Sequence, residues 1–286
     1  MYDLHLHTNN SDGLDSWQTI LQKAEAAKLT LISITDHDNC DAYFQMEEAG
    51  VFDPRHPGLD PGSGFFSGKL LTGIELQAYF KGLSIEILGY GFDIYKMRDS
   101  LQGLYLPMDE LNRLVLETTC KKLTSMGITL PADVIENYDS TLHYYSMDYL
   151  HAQMRKFPEN RIYIPDAESW EKDNIFFRRH ISNPNSPFYI DESDVVPPAE
   201  KIIGIIRAAG GKAVLPHVYQ YDENSELILH GLLDKLDGIE CFYPSFTVAQ
   251  SDYLLGLCKK HNLLITGGSD YHGEKRPNKM GCFRLP

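Results

Sequence analysis

The chain has 286 residues, of which 26 are lysine or arginine and 40 are aspartate or glutamate, so its formal net charge is −14. With 43% apolar and 11% aromatic residues it can bury a large core, which excludes a disordered chain and a small disulfide-stabilised fold. The acidic balance argues against nonspecific binding to nucleic acid or to an anionic membrane, because both require a basic surface. The composition therefore predicts a globular protein of one large domain or two modest ones.

The cysteines and the first residues bear on the cellular compartment. The five cysteines are scattered without C-x-x-C spacing, which favours reduced thiols in a cytoplasmic protein. The chain starts without the basic and apolar regions of a signal peptide, and no stretch reaches the roughly 18 apolar residues of a membrane helix. We expect a cytoplasmic protein without a membrane partner.

Short apolar runs in chain order predict buried strands. These runs are Tyr2–Leu6, Leu31–Thr35, Leu70–Ile74, Ile85–Leu88, Lys212–Leu215, Gly238–Cys241 and Leu263–Thr266. Helical patterns at Ser16–Ala27, Glu200–Ala209 and Ala249–His261 separate several of them, and Ser16 is the expected N-cap of the first helix. The glycine- and proline-rich stretch Phe52–Gly68 is predicted to be a surface loop. Alternating strands and helices favour a parallel sheet or an α/β barrel.

The middle of the chain interrupts this alternation. Helical patterns at Asp109–Met126 and Pro131–Asn137 precede the segment Asp139–Pro198, which is rich in Tyr, His, Asn and Pro and has no strand periodicity. We therefore expect a mostly helical cap subdomain over residues 98–198. The barrel domain would consist of the two flanking segments, 1–97 and 199–286.

Histidines and acidic residues cluster at the carboxyl ends of the predicted strands. His5 and His7 are two residues apart on the first strand, so their side chains share one face. The other candidates are Asp12, His37, Glu75, His217, Asp270 and His272. In a closed α/β barrel the carboxyl ends of the strands meet on one face, where these side chains would come together. Imidazole and carboxylate suit Mn²⁺, Fe²⁺ or Zn²⁺, and about seven to nine such ligands are too many for one ion, so the sequence predicts two or three metals.

The ordered motifs resemble those of the PHP (polymerase and histidinol phosphatase) family. They are Asp3-Leu4-His5-Leu6-His7-Thr8, Ser11-Asp12-Gly13, Thr35-Asp36-His37-Asp38, Gly73-Ile74-Glu75, Ile87-Leu88-Gly89-Tyr90, His217 and Gly268-Ser269-Asp270-Tyr271-His272. The resemblance implies an α/β fold, namely a distorted (β/α)7 barrel, with up to three divalent metals on its carboxyl face. It is closest to the small bacterial phosphoesterases that carry an inserted cap, among them nucleotide and nucleoside bisphosphate phosphatases.

The same resemblance divides the candidate ligands into three groups. They are His5, His7, Glu75 and Asp270 for a first metal, the bridging Glu75 with His217 for a second, and Asp12, His37 and His272 for a third. The chain departs from the family at Glu86, where a histidine is usual, and at Val218, which replaces the common proline. The basic residue often found after His217 is also absent from Val218–Tyr221.

Strand alternation indicates the role of Glu86. Successive side chains of a strand point to opposite faces, so Glu86 lies on the face opposite to that of Ile85 and Ile87. A carboxylate buried in the mouth of a barrel is costly unless it contacts a cation. We therefore expect Glu86 to be an oxygen ligand of the second metal, directly or through water. The alternative is a glutamate that faces solvent at the end of its strand.

The expected reaction is hydrolysis of a small phosphorylated metabolite by a metal-bound hydroxide, with Glu75, Asp270 and His272 in support. By the resemblance, Arg113 on the first cap helix is a candidate contact for the substrate. Without a G-x-S-x-G or Walker motif or a convincing G-x-G-x-x-G, the chain offers no support for serine acyl transfer or nucleoside triphosphate binding. Two alternatives stay open, an amidohydrolase-like metal hydrolase and a degenerate metal-binding module without turnover. No stable nucleic-acid partner is expected.

Overall fold

The computed structural model describes residues 1–53, 64–143, 145–281 and 283. Most of the predicted surface loop, residues 54–63, therefore lies outside the described residues. Seven strands form one sheet in chain order. They are β1 (Tyr2–Leu6), β2 (Leu31–Ile34), β3 (Lys69–Phe80), β4 (Leu83–Tyr90), β5 (Lys212–Leu215), β6 (Gly238–Phe242) and β7 (Leu264–Gly267). A parallel bridge between Leu6 and Tyr271 links the β1 and β7 sides, so the sheet nearly closes into the predicted barrel.

The barrel is distorted at its fourth strand. The pairs β1–β2, β2–β3, β5–β6 and β6–β7 are parallel, whereas β4 runs antiparallel to β5. No helix separates β3 from β4, because they are joined by Lys81 and Gly82, which both have positive φ as tight hairpin turns require. These two strands are also longer than the sequence predicts, since alternation continues past Ile74 and begins before Ile85.

Ten helices occur within the described ranges, besides short 3₁₀ and π segments. They are α1 (Trp17–Ala26), α2 (Asp41–Glu48), α3 (Ile94–Leu101), α4 (Met108–Ser125), α5 (Ser146–Met154), α6 (Ala167–Glu171), α7 (Asp173–Phe176), α8 (Ala199–Ala208), α9 (Ser225–Leu232) and α10 (Val248–His261). Ser16 caps α1 as predicted, because its side chain accepts a hydrogen bond from the backbone N–H of Thr19. Thr247 and Gln250 form a capping box that begins α10.

The chain divides into two compact units. The first comprises Met1–Ala78, Ile85–Gln102 and Pro198–Pro286, and the second comprises Tyr79–Ser84 and Gly103–Pro197. The second unit contains α4 to α7 around its own apolar core, in which Leu116, Leu150 and Phe176 are fully buried.

One helix that the sequence predicts in the second unit, Pro131–Asn137, does not form. Residues 132–137 form turns rather than a helix, with hydrogen bonds from Val134 N to Pro131 O and from Asn137 N to Asp133 O. A segment of this length gains few helical hydrogen bonds for the entropy that it loses, and its Asp and Asn side chains favour turns.

Glu192 in the second unit gives a stability prediction. Its side chain is 5% exposed and its Oε2 makes no hydrogen bond within the described structure. Burial raises the pKa of Glu192 to about 7 from an ordinary 4.5. Because this pKa is higher in the folded than in the unfolded chain, the contribution of Glu192 to the free energy of unfolding falls as the pH rises from about 4.5 to about 7.

Glu192→Gln is therefore expected to stabilise the protein above pH 7. We expect the free energy of unfolding to rise by about 1–3 kcal/mol at pH 8 and by less at pH 5. Urea denaturation at the two pH values measures both differences. An equal effect at pH 5 and pH 8 would show that Glu192 is ionised in the folded protein throughout this range.

Candidate metal centre

A first group of four polar side chains comes from the end of β1, from within β3 and from the loop after β7. Glu75 Oε2 is 3.1 Å from His5 Nε2 and 3.2 Å from His7 Nε2. Asp270 Oδ1 is 3.4 Å and 3.3 Å from the same two nitrogens. One potential ligand atom from each of the four residues therefore faces a common point, and these atoms lie within 4.8 Å of one another.

A second group uses the other oxygen of Glu75. Glu75 Oε1 is 2.9 Å from His217 Nε2, and Glu86 Oε2 is 3.5 Å from the same nitrogen. The hydroxyl of Tyr221 donates to Glu86 Oε2 at 3.2 Å and accepts from the backbone N–H of Glu86 at 3.0 Å. Glu86 thus points toward His217, and the two oxygens of Glu75 are divided between two groups.

A third group surrounds Asp12. Its Oδ1 is 3.0 Å from His272 Nε2, 3.7 Å from His37 Nε2 and 3.8 Å from His7 Nδ1. His7 therefore faces this group through Nδ1 and the first group through Nε2. The resemblance assigned His7 to the first group alone, and the structure brings it to both.

The three groups fit divalent metal ions. Among the residues that the structure describes, four of their buried side-chain atoms make no well-aligned hydrogen bond, namely both ring nitrogens of His7, Asp12 Oδ1 and His217 Nδ1. Buried polar atoms without hydrogen bonds are costly, so their presence together calls for a ligand. Imidazole nitrogens and carboxylate oxygens are the donor set that Mn²⁺, Fe²⁺ and Zn²⁺ accept.

The electrostatics of the centre also favour a cation. Burial opposes a charged imidazole, but the charges of Asp12 and Asp270 outweigh it and raise the pKa of His272 to about 9. Burial likewise opposes charge on Glu75, yet the neighbouring His5 holds the pKa of Glu75 well below its usual range. The carboxylates therefore stabilise positive charge on the imidazoles, and a bound metal ion would take the place of those protons.

Two buried carboxylates that the sequence analysis did not single out hold the loops of the centre. Asp36 accepts hydrogen bonds from the backbone N–H and hydroxyl of Thr8, both at 2.6 Å, and from Ser11 at 2.8 Å. Asp3 accepts from the backbone N–H of Ser269 at 2.9 Å and from its hydroxyl at 2.6 Å. Both aspartates lie inside the motifs quoted in the sequence analysis, next to candidate ligands. That position is the sequence signal that could have identified them.

Two residues on and after β6 were also missed. Glu240 contacts His5, and the hydroxyl of Tyr243 donates to Asp270 Oδ2 at 2.7 Å. A glutamate within the buried run Gly-Ile-Glu-Cys-Phe was the signal for the first, because a charged side chain is rarely fully buried without a partner. Tyr243 offered no sequence signal.

Arg113 and the cysteines are the remaining residues that the sequence analysis considered. Arg113 is exposed on α4 in the second unit, so its contact with a substrate remains a prediction. Four cysteines in the described ranges have free thiols, and none belongs to a candidate metal group there. No helix of the described ranges has the length and apolar content that crossing a membrane requires.

A barrel whose strands and adjoining loops bring histidines and carboxylates together in such groups is typical of metal-dependent hydrolases. The PHP domain model matches residues 3–172, more than half of the sequence. The chain belongs to the PHP family.

Named relatives span almost the whole chain. A 5'-3' exoribonuclease of Haemophilus influenzae is 25% identical over 95% of this chain and 89% of its own length. A phosphoribosyl 1,2-cyclic phosphate 1,2-diphosphodiesterase of Eggerthella lenta is 27% identical over 99% and 98%. A 3',5'-nucleoside bisphosphate phosphatase of Chromobacterium violaceum is 25% identical over 94% and 86%.

A solved structure supports the fold. The crystal structure of a putative metal-dependent phosphoesterase from Bifidobacterium adolescentis superposes with a TM-score of 0.61 and 22% identity, covering 98% of this chain and 90% of the other. The predictions of the family, the barrel fold and a hydrolase of phosphoric esters are confirmed. The amidohydrolase-like alternative is the less supported one, since the family match is to the PHP domain.

Proposed function

We propose that this protein hydrolyses a phosphate ester of a small metabolite with two to three divalent ions held by the three groups. The observation that carries the proposal is Glu75, whose two oxygens face separate groups at 3.1 Å from His5 and 2.9 Å from His217. A carboxylate so divided suits a bridge between two neighbouring ions, as in multinuclear phosphoesterase sites.

The number of candidate ligands also supports more than one ion. The three groups together comprise His5, His7, Asp12, His37, Glu75, Glu86, His217, Asp270 and His272. A single Mn²⁺, Fe²⁺ or Zn²⁺ accepts about four to six donors, so this set suits two or three ions. When bound, such ions activate water and neutralise the charge of a phosphoryl group.

In this proposal the protein side chains around the centre hold the ligands in place, and none of them acts as the nucleophile. The aliphatic hydroxyls of Thr8, Ser11 and Ser269, which neighbour candidate ligands in the sequence, donate to buried aspartates. They are therefore held as supports of the loops, which is consistent with water as the attacking group. In this proposal Glu75, Asp270 and His272 keep the ligand geometry fixed during the reaction.

Nucleotides and nucleoside bisphosphates are the substrates that we propose first. The names of the relatives include a phosphoribosyl compound, a nucleoside bisphosphate and RNA, and phosphate attached to ribose is common to them. Arg113 would contact a phosphate, since its guanidinium can bind phosphate oxygens in a bidentate manner.

A screen of phosphorylated metabolites tests the proposal. Full-length protein loaded with Mn²⁺ would be incubated with p-nitrophenyl phosphate, nucleotides, nucleoside bisphosphates and a cyclic phosphodiester, and released phosphate or the opened ring would be measured. We expect turnover of at least one phosphate ester. Metal binding without any turnover would instead identify a degenerate metal-binding module.

Metal content gives an independent prediction. Elemental analysis of protein that was loaded with Mn²⁺ or Zn²⁺ and then desalted is expected to find two to three ions per chain, because the ligands exceed the needs of one ion. A chain that retains no metal after loading would contradict the proposed centre.

A further inference from the structure

Glu240 lies in the middle of β6 and contacts two of the candidate ligands. Its side chain is fully buried, between Ile239 and Cys241, whose side chains are buried as well. One carboxylate oxygen is 3.1 Å from Nδ1 of His5, and the other accepts the backbone N–H of His217 at 2.8 Å. A single carboxylate thus connects residues of β1 and of the loop after β5.

The contact with His5 determines which ring nitrogen is available to a metal. Nδ1 of His5 faces Glu240, whereas Nε2 faces Glu75 at 3.1 Å and Asp270 at 3.4 Å. An imidazole that donates its Nδ1 proton to a carboxylate presents a lone pair at Nε2. Glu240 therefore favours the tautomer whose free nitrogen points into the first group.

The contact with His217 holds an unusual backbone conformation. His217 has φ 23° and ψ 43°, in the left-handed region that residues with a side chain rarely occupy. The hydrogen bond from its N–H to Glu240 Oε2 stabilises that conformation, which places Nε2 of His217 at 2.9 Å from Glu75.

We infer that Glu240 is a positioning residue of the centre, which sets the tautomer of His5 and the backbone of His217 so that both present Nε2 to Glu75. The inference rests on the metal centre proposed above. It adds a residue that binds no metal itself and acts on two ligands of different groups.

Glu240→Gln tests this role with little change in volume. A glutamine has one oxygen where glutamate has two, so it cannot accept hydrogen bonds from both His5 and His217. Chelator-stripped Glu240→Gln protein is expected to bind Mn²⁺ about 10–100-fold more weakly than the wild type in a calorimetric titration. Asp237→Asn is the matched control, because the Asp237 carboxylate contacts Arg207 and the backbone N–H of Ala213 instead.

A spectroscopic measurement separates positioning from a general structural role. In Zn²⁺-loaded wild-type protein labelled with ¹⁵N-histidine, the His5 signal, assigned through its loss in His5→Asn, is expected to show a protonated Nδ1 and a metal-shifted Nε2. A protonated Nε2, or wild-type Mn²⁺ affinity in folded Glu240→Gln, would overturn the inference. If Glu240→Gln does not fold, the wild-type spectrum alone decides.

The outcomes also distinguish this inference from the proposed function. A wild-type chain that binds no Mn²⁺ would refute the metal centre and the role of Glu240 together. A wild-type chain that binds Mn²⁺ and hydrolyses a phosphate ester, with unchanged affinity in Glu240→Gln, would refute the role of Glu240 alone.

Discussion

Replacing His7 with alanine is expected to lower the rate of phosphate release by at least about 100-fold at saturating metal, which corresponds to about 3 kcal/mol of lost transition-state stabilisation. The reason is that the two ring nitrogens of His7 face different groups, with Nε2 3.2 Å from Glu75 and Nδ1 3.8 Å from Asp12. Because a neutral imidazole offers one lone pair, the substitution removes a ligand from one proposed ion and a polar neighbour from the other group. The measurement is the steady-state rate with Mn²⁺ on whichever phosphate ester the screen identifies.

Controls distinguish this effect from loss of the fold. Asp270→Asn keeps the size of the side chain while it removes the charge beside His5 and His7, and it is expected to abolish nearly all activity as well. His230→Ala is the matched histidine control, because His230 is 51% exposed on α9 and pairs with Glu226. A rate above about a tenth of the wild type in His7→Ala or Asp270→Asn, with a native thermal unfolding profile, would contradict the assignment, since metal catalysis supplies several kcal/mol.

The barrel was predictable because its strands carry local signals. Each run is short, apolar and bounded by polar residues, so all seven strands were located from the sequence, although Leu264 and Ile265 of β7 are exposed rather than buried. The joint between β3 and β4 was not predicted, because the turn at Lys81 and Gly82 depends on two positive φ angles that only the folded pair of strands stabilises. The prediction of a short helix at Pro131–Asn137 was wrong for a related reason, because a segment of so few residues forms a regular helix only when packing stabilises it.

The candidate ligands were predictable from their position, and their supports were not. His5 and His7 share a strand face by simple alternation, and strand ends converge in any α/β barrel. Glu240 comes from β6, 235 residues away from the His5 that it contacts, and such a pairing is visible only once the barrel closes. The sharing of His7 between two groups likewise depends on the rotation of its ring, which spacing along the chain does not determine.

Glu86 stands where the family resemblance leads us to expect a histidine, and this difference bears on which metal ion binds. The structure places Glu86 Oε2 at 3.5 Å from His217 Nε2, in one group with Glu75. The contact with the Tyr221 hydroxyl at 3.2 Å holds the carboxylate in that direction. We propose that Glu86 is an oxygen ligand of the second ion, and that carboxylate in place of imidazole favours Mn²⁺ or Mg²⁺ over Zn²⁺ there.

Glu86→Ala is expected to weaken binding of one ion at least about tenfold and to lower the number of retained ions per chain by one, because the second group would keep only Glu75 and His217. Glu86→His is expected to restore the number of ions while shifting the preference from Mn²⁺ toward Zn²⁺, since imidazole is the softer donor. Elemental analysis after loading with equimolar Mn²⁺ and Zn²⁺ measures both effects, and Glu226→Ala, which removes an exposed glutamate from α9, is the control.

An Ala variant at position 86 with wild-type metal content and rate would mean that this carboxylate only faces solvent. A His variant that binds the same ratio of the two metals as the wild type would mean that the second ion takes its selectivity from Glu75 and His217 alone.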